Sequence, residues 1–308
     1  MLRHVVRVYL KINAMKFNKK KILLLTSSLA GGGTERVCVN IANSFAKKSW
    51  QVDLVVLNLN NEAYLNSISN NVNLIVLNIN HARYSAIYLL RYIFTNKPKV
   101  ILAFNNELSV MLVILRLLLR LKIKIISRNT STLSIRIKQF QEKKLWSRRV
   151  VGPLIKFFYG KIDHVVNQCS GMHEDLIKIF PQLREKSSVI YNPISNHIID
   201  FANKHDLTQI EKKDYLLCVG RLEEVKAFHY AIESFAGIAD NFPNLRLKIV
   251  GQGSLEQELK QKAIDYCVEN KVDFEGFQKN IIPYYLYARA TILTSLYEGY
   301  PNVLIESI

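Results

Sequence analysis

The sequence predicts an α/β fold with two domains, each built on a parallel sheet. Short apolar runs rich in β-branched residues alternate with longer segments of helical periodicity, which is the pattern of βαβ units. The chain has 308 residues, enough for two domains of roughly 100–200 residues each. The pattern is interrupted at Asn192-Pro193 and by a polar stretch to Asp214, and it then restarts. We therefore expect two α/β halves with a cleft between them, faced by the strand ends of both sheets.

Seven strands are predicted before the interruption and four after it. The first seven are residues 22–25, 52–57, 74–77, 100–103, 123–127, 164–167 and 189–190, with clear helical periodicity at 35–48 and 170–180. The later strands are residues 215–219, 246–250, 272–275 and 291–293, with helices at 227–241 and 254–268.

The predicted domain limits are residues 1–14 for an N-terminal extension, 15–200 for the first domain and 201–308 for the second. Met15, followed closely by Lys16 and further lysines, has the character of a natural start. The chain stops at Ile308, inside a helix predicted to begin near Pro301, with no capping signal after it. The second domain is therefore predicted to be truncated.

Charge is distributed unevenly along the chain. The net charge is +17, but residues 1–160 hold 26 Lys and Arg against 5 Asp and Glu, whereas residues 161–308 hold 16 against 20. The basic half should meet something anionic, namely lipid headgroups, nucleic acid or a diphosphate. With 49% hydrophobic and 10% aromatic residues, the composition excludes a disordered chain.

The most basic segment is also apolar. Residues 111–149 hold eleven Lys and Arg and one acid, Glu142. Such a surface suits contact with an anionic membrane, although an ordinary core helix beside a solvated basic face explains the pattern almost equally well. The interleaved apolar residues are Leu112, Ile114, Leu115, Leu117, Leu118, Leu119 and Trp146.

The sequence gives no sign of a membrane span, a metal site or a disulfide framework. The best apolar run, residues 110–119, is about half the length needed to cross a bilayer and contains Arg116. The N-terminus lacks the apolar core and cleavage site of a signal peptide. The four cysteines are scattered without a C-x-x-C pair, which favours a reducing cytoplasm.

The first candidate site is the triple glycine Gly31-Gly32-Gly33, between a strand and a helix. Glycine lets a ligand approach the backbone, and a helix N-terminus favours anions. The alternative is a plain turn. The segment has neither the G-x-G-x-x-G nor the Walker A pattern, so neither a dehydrogenase nor a P-loop kinase is indicated.

Two further candidates lie in the second domain. Arg221 and Lys226 follow the strand at 215–219, where two cations could grip a diphosphate, or could be solvated charges beside two acids. Glu298 precedes a helix that Pro301 suits, and Glu306 lies inside that helix; such acids can accept hydrogen bonds from sugar hydroxyls or can be solvated. The first backbone amides of the helix, at Asn302 and Val303, would point toward a phosphate.

These segments together resemble the retaining glycosyltransferase family 4, also called glycosyl transferases group 1, which has the GT-B fold. The resemblance covers most of residues 20–306 in the family's order. It is most specific in the Gly-Arg-Leu with its downstream lysine and in the E-x₇-E element formed by Glu298 and Glu306. The stretches that carry it include KILLLTSSLAGGGTERVCVNIANSFAKKSWQVDLVVLN, YLLCVGRLEEVKAFHYAIESFAGI, LRLKIVGQGSLEQELK and SLYEGYPNVLIES.

The resemblance implies roles for particular residues. Arg221 and Lys226 match the pair that stabilises the leaving nucleoside diphosphate, Glu298 the acid beside the donor sugar, and Glu306 the acid that holds the ribose hydroxyls. The remaining donor-side matches are the glycine loop of the first domain and loops near the nucleotide and its base, at Gly32, Gly33, Gly251, Gly253, Gly276 and Phe277.

The chain departs from the family at two places. Ala227 stands where the family usually has glycine after the lysine. The histidine often found after the fifth strand is absent, because this chain reads Ser127-Arg128-Asn129. Arg128 and Asn129 are therefore the acceptor-side candidates.

The function implied is retaining transfer of a hexose or N-acetylhexosamine from a nucleotide sugar to a lipid-linked saccharide or surface polysaccharide. UDP is the preferred nucleotide by resemblance. The chain has no D-x-D, so we expect no metal and no cofactor; side-chain cations and helix N-termini would supply the positive potential. The expected place is the cytoplasm, at the inner face of the plasma membrane.

Two other functions fit part of the sequence. A GT-B epimerase or an inactive truncated relative would share the same motifs. A nucleic-acid-binding protein would share the basic half, but the sequence lacks aromatic platforms and a helix-turn-helix pattern, and its second half is acidic. Nucleic acid is therefore not expected as a partner.

Overall fold

The computed structural model describes residues 20–30, 32–59, 64–80, 84–142, 147–207 and 209–308. The predicted extension at residues 1–14, Gly31 and Trp146 lie outside these ranges. The chain divides into two compact units between Asn192 and Pro193. The domain limit placed at residue 200 from the sequence stays a prediction.

The first unit contains a seven-stranded parallel sheet, as the sequence predicts. The spatial order is β3-β2-β1-β4-β5-β6-β7, so the chain changes direction across the sheet between β1 and β4. All neighbouring pairs are parallel. The strands are β1 (Lys21–Thr26), β2 (Gln51–Val56), β3 (Val72–Val76), β4 (Val100–Ala103), β5 (Lys124–Arg128), β6 (His164–Asn167) and β7 (Ser187–Val189).

Helices cover both faces of this sheet, which is why its strands are buried almost throughout. The helix α1 (Gly33–Lys47) packs one face through Val37 and Phe45. The other face carries Leu89, Leu112 and Ile155 from three different helices. The helices after α1 in this unit are α2 (Ser85–Asn96), α3 (Asn106–Leu119), α4 (Leu133–Glu142), α5 (Gly152–Phe158) and α6 (Ser170–Ile179).

The second unit contains a four-stranded parallel sheet in the order β10-β9-β8-β11. Its last strand has only two residues, shorter than the predicted 291–293. The strands are β8 (Tyr215–Val219), β9 (Arg246–Val250), β10 (Val272–Gly276) and β11 (Ala290–Thr291). The helices are α7 (Asn196–Lys204), α8 (Phe228–Ala239), α9 (Glu256–Asp265), α10 (Ile282–Tyr287) and α11 (Asn302–Ser307).

Two apolar clusters hold the second unit together. The larger one joins Phe235 on α8 and Leu259 on α9 to the sheet. The smaller one joins Leu217 to Tyr285 on α10, with Val303 of α11 packed against it. The two α/β units, each with a parallel sheet, confirm the predicted fold class.

No helix within the described ranges combines the length and the apolar character that a bilayer crossing needs.

Candidate active site

Four loops meet at one edge of the second sheet. Because β8, β9, β10 and β11 are parallel, their carboxyl ends share an edge, and ligands of open α/β sheets bind at that edge. Most predicted donor-side residues of the second domain lie in these loops. Arg221 and Lys226 follow β8, Gly251 and Gly253 follow β9, and Glu298 follows β11.

Backbone hydrogen bonds tie three of these loops into one layer. The amide of Gly220 donates to the carbonyl of Val250 over 2.9 Å, and the amide of Gly251 donates to the carbonyl of Gly276 over 2.8 Å. The amide of Leu222 donates to the carbonyl of Gln252 over 3.0 Å. The loops after β8, β9 and β10 therefore hold one another in place.

Gly251 and Gly253 are required by this close packing. Gly251 has φ +145°, and a Cβ there would lie 1.8 Å from the carbonyl oxygen of Gly220. A Cβ at Gly253 would lie 2.2 Å from the carbonyl oxygen of Leu222. Contact of these glycines with a nucleotide stays a prediction, but their place in the loop layer follows from sterics alone.

Lys226 and Glu298 form an ion pair at this edge. The Nζ of Lys226 lies 2.5 Å from Oε1 of Glu298, and the hydroxyl of Ser295 donates to the same oxygen over 2.7 Å. The lysine side chain is 19% exposed and the glutamate side chain 24%, so both remain accessible from solvent. A hydroxyl of Thr294 donates to the Lys226 carbonyl over 2.9 Å and fixes the loop that carries the lysine.

Ala227 holds a backbone conformation that usually belongs to glycine. It has φ 46° and ψ 42°, and it caps the start of α8 directly after Lys226. An L-residue in this left-handed region costs roughly 1–2 kcal/mol. Ala227 therefore adopts the turn that glycine would favour.

The other predicted residues of the second domain are dispersed around this edge. Arg221 is exposed in the same loop as Lys226. Phe277 is exposed beside Gly276, whose φ is +66°. Asn302 and Val303 begin the short helix α11, and Glu306 in that helix is buried with its carboxylate 3.5 Å from the hydroxyl of Tyr285. The burial of Glu306 excludes the solvated helix face that the sequence left open.

At the first sheet, the predicted glycine loop leads into α1. Gly32 caps this helix and Gly33 begins it. A Cβ at Gly32 would meet Oε2 of Glu35 at 2.3 Å, so glycine leaves room for that carboxylate at the helix N-terminus. Gly31 lies outside the described residues.

Two buried polar atoms near this loop were not singled out from the sequence. Within the described part of the chain, Thr26 Oγ1 at the end of β1 and Asn105 Oδ1 after β4 have no hydrogen-bond partner. They lie at the carboxyl ends of β1 and β4, the two neighbouring strands between which the chain reverses direction across the sheet. The polar Asn105-Asn106 directly after a buried strand was the available signal.

Arg128 and Asn129, the acceptor-side candidates, lie buried inside the first unit, and their role at an acceptor stays a prediction. Arg128 is only 2% exposed, and its Nη2 donates to Asn192 Oδ1 over 2.6 Å and to the carbonyl of Ile190 over 3.2 Å. Asn129 is fully buried. The strand β5 ends between β4 and β6 in the sheet.

Tyr159 is the centre of the polar group around Asn129. Its hydroxyl donates to Asn129 Oδ1 over 2.5 Å and lies 2.9 Å from the hydroxyl of Ser127. Burial, together with the charge of Glu107, raises the pKa of Tyr159 well above its usual value, so the phenol stays protonated. Asn129 in turn donates to Asn167 Oδ1 over 2.7 Å.

No cluster of three or more His, Cys, Asp or Glu that could hold a metal occurs among the described residues. The four cysteines are not joined in disulfides, and burial raises the pKa of Cys218 to about 12. Metal independence of the reaction stays a prediction.

Curated relatives and solved structures resemble this chain over different lengths. The amylovoran biosynthesis glycosyltransferase AmsD of Erwinia amylovora is 26% identical over 93% of this chain and 78% of that protein. The N-acetylgalactosamine-N,N'-diacetylbacillosaminyl-diphospho-undecaprenol 4-alpha-N-acetylgalactosaminyltransferase of Campylobacter jejuni is 32% identical over 50% of this chain. For two of the curated relatives the matched segment spans about half of their own length, 55% and 41%.

A crystal structure of Anabaena HepE in complex with UDP and glucose matches with a TM-score of 0.70. Its identity is 18%, over 94% of this chain and 78% of that chain, so this likeness shows the fold alone. It agrees with the GT-B fold, in which each of two α/β units has a parallel sheet.

Two family models match the two units. The model described as Glycosyl transferases group 1 matches residues 200–308, and the model described as Glycosyltransferase Family 4 matches residues 31–196. The second match covers more than half of the chain. Together with the folds of both units and the gathering of the glycosyltransferase motifs at one sheet edge, these matches establish that the chain belongs to Glycosyltransferase Family 4.

Proposed function

We propose that this protein is a retaining glycosyltransferase that moves a hexose or N-acetylhexosamine from a nucleotide sugar to a lipid-linked saccharide. The observation that carries the proposal is the accessible pair of Lys226 and Glu298 at the carboxyl edge of the second sheet, with Arg221 in the same loop as the lysine. This arrangement offers cations for a diphosphate and a carboxylate for sugar hydroxyls, side by side.

Sugar transfer needs positive charge beside the donor bond that breaks, the bond between the sugar and the diphosphate. The acceptor hydroxyl oxygen bonds to the anomeric carbon while the bond from that carbon to the diphosphate breaks, and the hydroxyl proton passes to the departing phosphate oxygen. Negative charge grows on the leaving group, and Lys226 and Arg221 stabilise it. Attack from the same face as departure retains the configuration and needs no protein nucleophile.

Glu298 has a second task in this proposal. With no donor bound, its carboxylate neutralises Lys226 at 2.5 Å. When a diphosphate binds Lys226 in place of this carboxylate, Glu298 can accept hydrogen bonds from sugar hydroxyls. The hydroxyl of Ser295 still holds the Glu298 carboxylate in position. The pair therefore keeps both side chains ordered in the absence of substrate.

UDP is the proposed nucleotide and an undecaprenyl-type lipid the proposed carrier. Support for UDP comes from the solved HepE complex, and support for a lipid diphosphate acceptor comes from the name of the Campylobacter relative. A surface polysaccharide, as in amylovoran, capsule or lipopolysaccharide synthesis, is the expected end product. The protein would act in the cytoplasm, at the inner face of the plasma membrane, where the basic first half meets anionic lipid.

The test is a transfer assay with radiolabelled UDP-sugars and polyprenyl-diphosphate-linked saccharides, run with and without EDTA. We expect Lys226→Ala and Arg221→Ala each to lower kcat at least tenfold, up to about 10²–10³ for the loss of one preorganised group. Lys204→Ala, an exposed cation on α7 in the same unit, is the matched control and should not change the rate. Full turnover in a folded Lys226→Ala variant would refute the role, and inhibition by EDTA would refute metal independence.

A further inference from the structure

The helix α2 is apolar on its outer side as well as its inner side. Leu89 and Ile93 lie in the core of the first unit. On the opposite side Ile87 is 77% exposed and Phe94 57%, and Tyr88 is also exposed. A helix that is apolar all round is normally buried. The outer face of α2 therefore has the composition of a covered surface.

The end of α3 continues this outer face. Both helices lie on the same side of the sheet, and the hydroxyl of Ser85 on α2 lies 3.2 Å from the sulfur of Met111 on α3. The helix α2 ends just before β4, and α3 ends just before β5. The first residues of these two strands, Val100 and Lys124, are register partners in the sheet. The ends of α2 and α3 are thus neighbours at the amino edge of the sheet.

Three consecutive leucines are exposed at the end of α3, and Leu118 is 73% exposed. We call the exposed apolar residues of the two helices the α2–α3 surface. Its members are Ile87, Tyr88, Phe94, Leu117, Leu118 and Leu119.

Exposed cations surround this surface. Arg91 stands between Tyr88 and Phe94 on the outer side of α2, and Lys97, Arg120 and Lys122 follow the two helices. Between residues 84 and 124 the sequence contains one acid, Glu107, which stands at the other end of α3 and pairs with Arg136 at 2.5 Å.

Lys97 and Arg120 are not the residues that the local backbone prefers. They end α2 and α3 in the left-handed conformation, with φ 45° and 50°, where glycine is favoured. The helix C-terminus does favour a cation, but that interaction is weak at an exposed site. A role for these two charges outside the helices explains their presence better.

We infer that the α2–α3 surface docks on an anionic lipid bilayer. The apolar side chains would enter the headgroup boundary, and Arg91, Lys97, Arg120 and Lys122 would meet lipid phosphates. A second copy of the chain is a poor occupant, because it would bring two cationic surfaces together. Contact with a membrane in general is part of the proposed function; the surface that makes the contact is the addition here.

The proposed surface differs from the lipid-facing segment predicted from the sequence. Leu112 and Leu115 of the predicted residues 111–149 belong to the core, and Trp146 lies outside the described residues. Within the described residues of that segment, the exposed apolar side chains lie in the last turn of α3. The other half of the α2–α3 surface comes from α2, which lies before the segment.

The first test changes charge without changing the fold. Lys97→Gly with Arg120→Gly removes two cations and puts glycine where the left-handed backbone favours it. Its binding to vesicles of phosphatidylcholine with phosphatidylglycerol, measured by flotation at low salt, should fall roughly tenfold or more, since each basic residue contributes about fivefold. Lys47→Ala with Lys48→Ala makes the same charge change at the end of α1, on the opposite face of the sheet, and should bind nearly as the parent does.

The second test changes the apolar part. Ile87→Gln, Phe94→Gln and Leu118→Gln combined should lower binding at least about tenfold, whereas Tyr230→Gln, Phe242→Gln and Ile264→Gln, exposed residues of the second unit, should leave it unchanged. Equal losses of vesicle binding in the test and control variants would overturn the assignment. So would binding of the parent protein that does not change with salt concentration or with the charge of the lipid. A parent dimer that becomes monomeric in the variants, with vesicle binding intact, would also overturn it.

These measurements do not depend on sugar transfer. The vesicles contain neither donor nor acceptor, so a failure of docking would leave transfer to a soluble acceptor unchanged. Loss of transfer in Lys226→Ala would likewise leave docking unchanged, and the two proposals can fail separately.

Discussion

The carboxyl edges of the two sheets use their polar residues differently. At the first sheet Arg128 and Asn129 are buried and bonded to neighbouring strands and to Tyr159. At the second sheet Lys226 and Glu298 bond to each other while staying accessible. The comparison teaches that a polar residue at a strand end is a candidate for chemistry only when the fold leaves it reachable.

The largest expected effect concerns the loop layer of the second sheet. Gly251→Ala would place a Cβ 1.8 Å from a backbone oxygen at a backbone angle that alanine rarely adopts. We expect a loss of about 3 kcal/mol or more in the free energy of unfolding, measured by urea denaturation. If the variant is as stable as the parent, the loops are not packed as described.

Gly237→Ala is the matched control for this change. Gly237 lies inside α8, and nothing lies within 4 Å of the added Cβ. Alanine there should leave stability unchanged or raise it by up to about 1 kcal/mol, because alanine is the better helix former.

The next prediction tests whether the polar residues at the carboxyl edge of the first sheet stabilise the fold rather than bind an acceptor. Arg128→Met keeps an unbranched apolar stem but removes the guanidinium that donates to Asn192 Oδ1 and to the carbonyl of Ile190. We expect a loss of about 2–4 kcal/mol in the free energy of unfolding. An acceptor-binding role predicts the opposite pattern, with unchanged stability and a raised KM for the acceptor.

A smaller effect is a pH-dependent change in the stability that a buried carboxylate gives to the first unit. Burial opposes the charge of Asp53, but hydrogen bonds from Tyr92, Asn73 and Lys21 outweigh it and hold the pKa of Asp53 below its usual value. A carboxylate with a lowered pKa stabilises the fold above its unfolded pKa, about 3.9, and this stabilisation is lost as the pH falls through the folded value.

Asp53→Asn should therefore be less stable than the parent by about 1–3 kcal/mol at neutral pH, with the difference shrinking below about pH 4. Unfolding curves at several pH values measure this difference. A difference that stays constant across acid pH would contradict the lowered pKa.

The smallest expected effect is at Ala227. Glycine there would relieve the left-handed strain of φ 46°, partly offset by the greater freedom of glycine in the unfolded chain, so stability should rise by at most about 1 kcal/mol. Thermal unfolding measures the change. A loss of stability would show that the Cβ of this buried alanine contributes more to packing than its backbone costs.

The sequence predicts the strands well because their signal is local. All seven strands of the first sheet and four of the second were found near the predicted positions, since buried β-branched runs and turn residues define them. The Lys226–Glu298 pair could be anticipated only through the family motif, because 72 residues separate its members.

Burial that depends on distant parts of the chain could not be predicted from the sequence. Arg128 ends a strand, where ligand-binding residues often lie, but it is buried and bonded to partners more than sixty residues away. The sequence does not distinguish the leucines of α3 from one another. In the structure some of them are buried and others are exposed, because of how the helix packs. No local pattern in the sequence contains this information.

The backbone ladder formed by Gly220, Leu222 and Gly251 continues the second sheet past the ends of its strands. Amide hydrogens in these loops would exchange with solvent at rates typical of strands, because their opening requires the neighbouring loop to open as well. A nucleotide would then meet a surface whose shape is set before it arrives, and little ordering entropy would be lost from this part of the protein on binding.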